Sequence, residues 1–425
     1  MTVRISILQS LDGGFSQILG LLLSCTILIG LGCDQTGMVA DNDLLLTPLS
    51  SAVLSNGKIT VELMPSSAIS RGSYYPDPLD TDLRTTHLNA VGLWLAATTD
   101  VVRSNVATAI PPTIPRIEFA ATTGGSEGIY FVTRDTLDSN ILNWPTEPGA
   151  PVNFDGRPKL YGDQMAWGAF QPTVAVSGES APLTDLRVGI SLFVFNQGPL
   201  TDAFFVRYDI RNMSNQSFSE LHVGFGGDVD LVMYNRSGPV CGLLDWWDNQ
   251  TGYDLENHIT YTYISPHDSD GDLPDKCYGT VVGFSILNMF SPGSTGENKL
   301  AHRIWRRDQH HSYPDFSGEL LVNGEIVLFA LQGLSPTGAS MVDPETNIPT
   351  KFAFTGDPLT GAGWIDERHD VRSLQSIKPI DLGPGEMRSM TVVWLIADGD
   401  NLESGINLLK SQFAQVMSRR DLWDY

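Results

Sequence analysis

Positive charge is scarce in this chain. Among 425 residues, 26 Lys and Arg stand against 49 Asp and Glu, a net charge of −23. Nucleic acid is thereby excluded as the main partner, because a phosphate-binding face needs clustered Lys and Arg. Cysteine is scarce too: of four, Cys25 and Cys33 lie in the N-terminal apolar segment, so disulfides are not the framework of the fold. No second long apolar run follows residue 31, and nothing beyond it reads as a membrane span. Apolar and aromatic residues are plentiful, with 42% hydrophobic content, 9 Trp, 12 Tyr and 18 Phe. That content excludes a disordered or collagen-like chain. The length suffices for a large core and suggests about two to three domains.

The one long apolar run reads as an address. Ile18 to Leu31 (ILGLLLSCTILIGL) leads into Gly32, Cys33 and Asp34. Its length fits a signal h-region and falls short of the ~20 residues of a transmembrane helix. Small residues ahead of Cys33 suggest lipoprotein cleavage, with residues 1–32 removed and Cys33 acylated as the new first residue. The usual leucine three places before the cysteine is here Gly30, with Leu31 one place later. The alternative is an uncleaved anchor or a buried helix.

The remainder alternates with period two. Leu186, Val188, Ile190, Leu192 and Val194 are apolar between Arg187, Gly189 and Ser191; Phe204, Val206, Tyr208 and Ile210 alternate with Arg207, Asp209 and Arg211. The same pattern marks Leu221–Phe225, Ile59–Leu63 and Val392–Ile396. It predicts half-buried antiparallel strands, with polar residues on a solvated face. Gly, Pro, Asn and Asp punctuate the runs every ~8–15 residues, as sandwiches require. The expected fold is all-β, an antiparallel sandwich-like body over residues 50–400, as one large sandwich or two abutting lobes. A helix over 401–420 packs on it, its stripe formed by Leu402, Ile406, Leu409, Phe413 and Val416. Asp400 is the expected cap, with Glu403 reaching back and Arg419 and Arg420 at the negative end. The stretches 293–299 and 335–350 are the candidate linkers.

Several phrases in order carry a family resemblance: Gly92-Leu93-Trp94, Asn143-Trp144-Pro145, Gly149-Ala150-Pro151, Asp155-Gly156-Arg157-Pro158, Gly162-Asp163-Gln164 with Trp167, and Val206–Asn212. Gly227-Asp228-Val229-Asp230, Cys241, Thr355-Gly356-Asp357-Pro358, Gly363-Trp364-Ile365-Asp366, Asp370 with Arg372, Pro384-Gly385 and Leu408-Leu409-Lys410 follow. Over residues 55–415 the chain resembles large surface proteins of Bacteroidetes- and Ignavibacteria-like bacteria that often end in a type IX secretion sorting domain. The resemblance implies a secreted or surface-exposed β-rich body of no established activity, with no catalytic residues to carry over. The sequence stops at Tyr425, without that sorting domain; attachment through Cys33 is expected to replace it.

The sharpest chemical candidate is the stretch from His267 to Cys277. Asp268, Asp270, Asp272 and Asp275 around Gly271 offer the oxygen ligands Ca²⁺ needs and resemble the acidic loops of thrombospondin type 3 repeats, one residue short in spacing. A plain solvated turn is the competing reading. Cys241 and Cys277 are expected to pair after export, closing a loop of about 35 residues worth ~3 kcal/mol, against two buried thiols. No zinc spacing is present. Gly124–Gly128 satisfies GxSxG, but the strand-like Ile129–Val132 follows where a nucleophile elbow needs a helix. Asp228/Asp230 and Asp245/Asp248 are the acid pairs a glycoside hydrolase could use. Trp246-Trp247, Trp144, Trp167 and Trp364 allow sugar stacking, against the default of core packing. His310-His311 beside Trp305, Arg306 and Arg307 reads as a surface loop. The sequons at Asn212, Asn215, Asn235 and Asn249 matter only in a eukaryotic secretory pathway.

These readings converge on an exported, lipid-anchored surface protein without catalysis: a structural or adhesive module, with Ca²⁺ as the candidate cofactor. Its expected partners are a membrane, through the N-terminal lipid, and a surface glycan or protein. A carbohydrate-binding or carbohydrate-active protein is the alternative.

Overall fold

A computed structural model of the chain describes residues 43–64, 69–74, 83–86, 90–98, 106–109, 118–119, 128–171, 182–229, 231–235, 249–266, 275–289, 299–306, 324–335, 337–367 and 371–423. The expected strands form where the alternation placed them, at Leu186–Val194, Ala203–Asn212, Phe218–Asp228, Ile59–Leu63 and Met387–Asp398. Two large sheets result, and the fold is all-β. The first runs Gln250–Asp254, Ile259–Tyr263, Thr280–Met289, Met387–Asp398, Ala203–Asn212, Leu186–Val194, Gln164–Gln171 and Glu118–Phe119; Tyr130–Thr133 also pairs with Gln164–Gln171. The second has Ala90–Thr98, Phe218–Asp228, Val371–Ile377 and Lys299–Arg306 in order, ending on Lys299–Arg306. Pairing within both large sheets is antiparallel among the described residues. From Asn42 onward the chain clusters as one unit, without a break at the expected linker 335–350.

The sheets meet through aromatic side chains. Trp394 stacks on Phe204 (5.8 Å) and Phe284 (5.4 Å) of the first sheet, and Phe284 meets Phe225 of the second edge-on at 5.3 Å. A polar bolt lies among them. Gln375 of the second sheet donates to the His258 and Phe284 carbonyls and to Thr260 Oγ1, and accepts from Ile286 N–H.

The polar side of the first sheet, expected to be solvated, is buried over its middle at Ser191, Arg207, Asp209 and Thr391, while Arg187 is half-buried and Arg211 exposed toward the strand ends. Strand periodicity reports which residues share a face, but not what segments distant in the chain lay over it. The helix Leu402–Ser418 covers one half, burying the expected stripe Leu402, Ile406, Leu409, Phe413 and Val416. Its Gly405 lies so close to Gly279 that a side chain has no room. The cap is Asn401 instead of Asp400; its side chain accepts from Ser404 N–H while Ser404 Oγ accepts from Asn401 N–H. Arg419 follows as the C-cap. The connection from Asn143 to Asp163 lies over another part of this face, with Trp144 against Trp167 and Tyr161 against Phe193 and Arg207.

Candidate functional surfaces

Asp268, Asp270 and Asp272 lie outside the described residues; Asp275 is exposed and opens a 3-10 turn, Asp275–Tyr278. No group of three or more His, Cys, Asp or Glu able to hold a metal occurs among the described residues. Cys277 is buried in the core, while Cys33 and Cys241 lie outside the described residues. Asp228 ends a strand, whereas Asp230, Asp245, Asp248, Trp246, Trp247, His310 and His311 lie outside the description. Gly128, the last residue of the GxSxG match, leads into the strand Tyr130–Thr133 without the helix an elbow requires. Asn212 is buried, its amide donating to the Gln216, Leu382 and Gly383 carbonyls, and Asn249 is buried as well, so neither is presented for glycosylation.

The tryptophans divide. Trp144 and Trp167 are core residues, 6.2 Å apart and packed with Tyr130, and the Trp144 indole donates to the Pro151 carbonyl at 2.9 Å. Neither face is open to a sugar ring. Trp364 is half-buried and sits 5.1 Å from Phe354, beside a turn closed by Asp357 and Ala362. The Asp357 carboxyl is held below its usual range by the Leu359 N–H and the Thr360 hydroxyl. Trp364 and Phe354 therefore offer the aromatic edge that Trp144 and Trp167 do not.

Two features escaped the sequence reading. The first is a charged cluster under the Asn143–Asp163 connection. Cross-strand register aligns Trp167, Ser191, Arg207 and Thr391 in one row and Ala169, Gly189, Asp209 and Ser389 in the next. Arg207 Nε donates to Asp209 Oδ1 at 3.0 Å, its Nη2 donates to Ser389 Oγ at 2.9 Å, and Ser389 Oγ donates back to Asp209. The Tyr161 ring lies against both Arg207 (5.4 Å) and Lys159 Nζ (5.3 Å). Burial and then the Arg207 charge pull the Lys159 ammonium below its usual range, with Asp209 opposing. The Ser389 hydroxyl is held by a carboxylate already engaged with a guanidinium. The arrangement suits cross-strand locking and does not make an activated nucleophile.

The second is a hairpin from Val152 to Pro158. Asn153 N–H donates to the Arg157 carbonyl at 2.8 Å, and Gly156 turns the chain at φ +82°. Phe154 at the tip is fully exposed, at 104% of its reference area, and Val152 is exposed as well. Arg157 and Lys159 stand at the base. The turn residues Asn153, Asp155 and Gly156 are visible in the sequence; that the phenylalanine beside them faces water is not.

No family model and no curated protein matches the chain. Among solved structures, it is similar at TM-score 0.30 and 9% identity to a provisionally assigned aldose 1-epimerase of Escherichia coli, covering 81% of this chain and 99% of that one. The Slr1438 protein of Synechocystis sp. is similar at TM-score 0.28 and 7% identity, over 83% of this chain and 97% of that one.

Proposed function

We propose that the chain is an exported bacterial surface protein, anchored by a lipid on Cys33, whose β body is a structural or binding module without a reacting centre. The observation that carries this reading is the apolar run Ile18–Leu31, ending in Gly32-Cys33 ahead of an all-β body. Mass spectrometry of the N-terminal peptide of the chain, taken from the envelope of producing cells, tests it. An acylated Cys33 as first residue is expected; an unmodified or internal Cys33 overturns the anchor.

Two further assignments belong to this reading. Ca²⁺ is held by Asp268, Asp270, Asp272 and Asp275, and chelation by EDTA lowers the melting temperature; an unchanged transition removes calcium from the account. Cys241 and Cys277 pair, so unfolded, unreduced chain takes up no maleimide at either residue; labelling of both refutes the pairing.

A second reading, carbohydrate recognition, is favoured by the half-buried Trp364 against Phe354. A glycan array probed with the native chain and with Trp364→Ala decides it. A signal lost in the variant supports the site, and silence with both ends it.

A further inference from the structure

We propose that the Val152–Pro158 hairpin, with the exposed leucines Leu45 and Leu142, is a membrane-contacting rim that seats on the lipid surface to which the chain is tethered; this rests on the Cys33 anchor. The leucines are brought together by the chain's own pairing. Asp43–Leu44 runs parallel to Asn140–Ile141, and the register continues as Leu142 N–H donates to the Leu44 carbonyl and Leu46 N–H to Asn143 Oδ1. Leu45 and Leu142 therefore stand at one level on adjacent segments, exposed by 67% and 54%. The Trp144 indole bond to Pro151 ties this segment to the base of the hairpin.

The hairpin has the composition of an interfacial contact. Its tip is apolar, with Phe154 wholly outside the body and Val152 exposed, and its base is basic. Arg157 is largely exposed, and Lys159 is half-buried against Tyr161. Aromatic and aliphatic tips enter the boundary between headgroups and acyl chains, while Arg and Lys behind them meet lipid phosphates. The one acidic residue at the tip, Asp155, is occupied by Arg157 N–H at 3.1 Å and lies 4.0 Å from Arg157 Nε.

Reach selects a lipid surface as the occupant. Cys33 precedes Asp43, the first residue of the Leu45-bearing segment, by ten positions. Ten peptide steps span at most ~35 Å. A lipid on Cys33 thus keeps the rim permanently within about one domain diameter of a bilayer, so that weak contacts are made at high effective concentration.

The test uses the mature chain with a hexahistidine tag in place of Cys33, bound to phosphatidylcholine vesicles carrying a nickel-chelating lipid. Amide hydrogen exchange over residues 152–157 is expected to slow at least five-fold on the vesicles relative to free chain, while the Met341–Thr350 hairpin is unchanged. The double variant Val152→Ser/Phe154→Ser, altering only exposed side chains, is expected to abolish the slowing. Unchanged exchange at 152–157, or equal slowing of both hairpins, overturns the rim. An unmodified Cys33 in the envelope-derived chain overturns the anchor instead, so the two failures are told apart.

Discussion

At the scale of single residues, two buried polar groups carry predictions of opposite kind. His222 lies in the strand Phe218–Asp228 at 4% exposure. Burial lowers its pKa below the ordinary 6.5, Glu220 opposes the shift, and Lys351 adds to it. As pH falls below about 6.5 the unfolded chain takes up a proton that the folded chain resists, so stability is full above that pH and declines below it. The urea midpoint is expected to drop between pH 7 and pH 5, and the drop to shrink in His222→Gln; an equal drop in both contradicts the assignment. Asp209 acts through its partner. Removing it by Asp209→Ala leaves the buried Arg207 guanidinium without its carboxylate, a change worth about 3–5 kcal/mol, whereas Asp202→Ala, which breaks the more exposed Lys58–Asp202 pair, costs no more than ~1 kcal/mol. Equilibrium denaturation of the two variants ranks them. This cluster was not legible in the sequence. Arg207 and Asp209 alternate with Val206, Tyr208 and Ile210 as any solvated strand face does, and the cover, Tyr161 with Lys159, lies some 45 residues earlier in the chain.

Elements were more legible than their ends. The C-terminal helix lies under its expected stripe because 3.6-residue periodicity is a property of the local sequence. The cap moved one position because Asp400 and Asn401 are both good caps. The choice falls to Asn401, from which Ser404, three residues on, completes the reciprocal bonds. Gly405 shows where propensity misleads. Ala is the better helix former by ~1 kcal/mol, yet a Cβ at this position runs into the Gly279 carbonyl. Gly405→Ala is therefore expected to lower the melting temperature despite its helical gain, and to loosen the Gln412 bond to the Ile396 carbonyl, 2.9 Å in the native chain. A variant that melts higher than the native chain contradicts this docking.

At the scale of the whole molecule, period-two alternation identified the strands, but it could not order them. Neighbours such as Ala203–Asn212 and Met387–Asp398 are separated by nearly two hundred residues, and no local signal encodes their register. Nor did the sequence choose between one sandwich and two lobes; that choice depends on contacts such as those of Gln375. This residue crosses from the second sheet to serve backbone and side-chain groups of two adjacent strands in the first, Ile259–Tyr263 with the preceding His258 and Thr280–Met289, at 1% exposure. Gln375→Met keeps the volume and removes the hydrogen bonds, leaving the His258 carbonyl and Ile286 N–H without the amide, a cost of about 2–3 kcal/mol. If the sheets form one cooperative body, tryptophan fluorescence and far-ultraviolet dichroism of this variant fall together at a lower denaturant midpoint. Separated transitions by the two probes would instead mean that the sheets fold as independent lobes and that Gln375 only touches its neighbours across them.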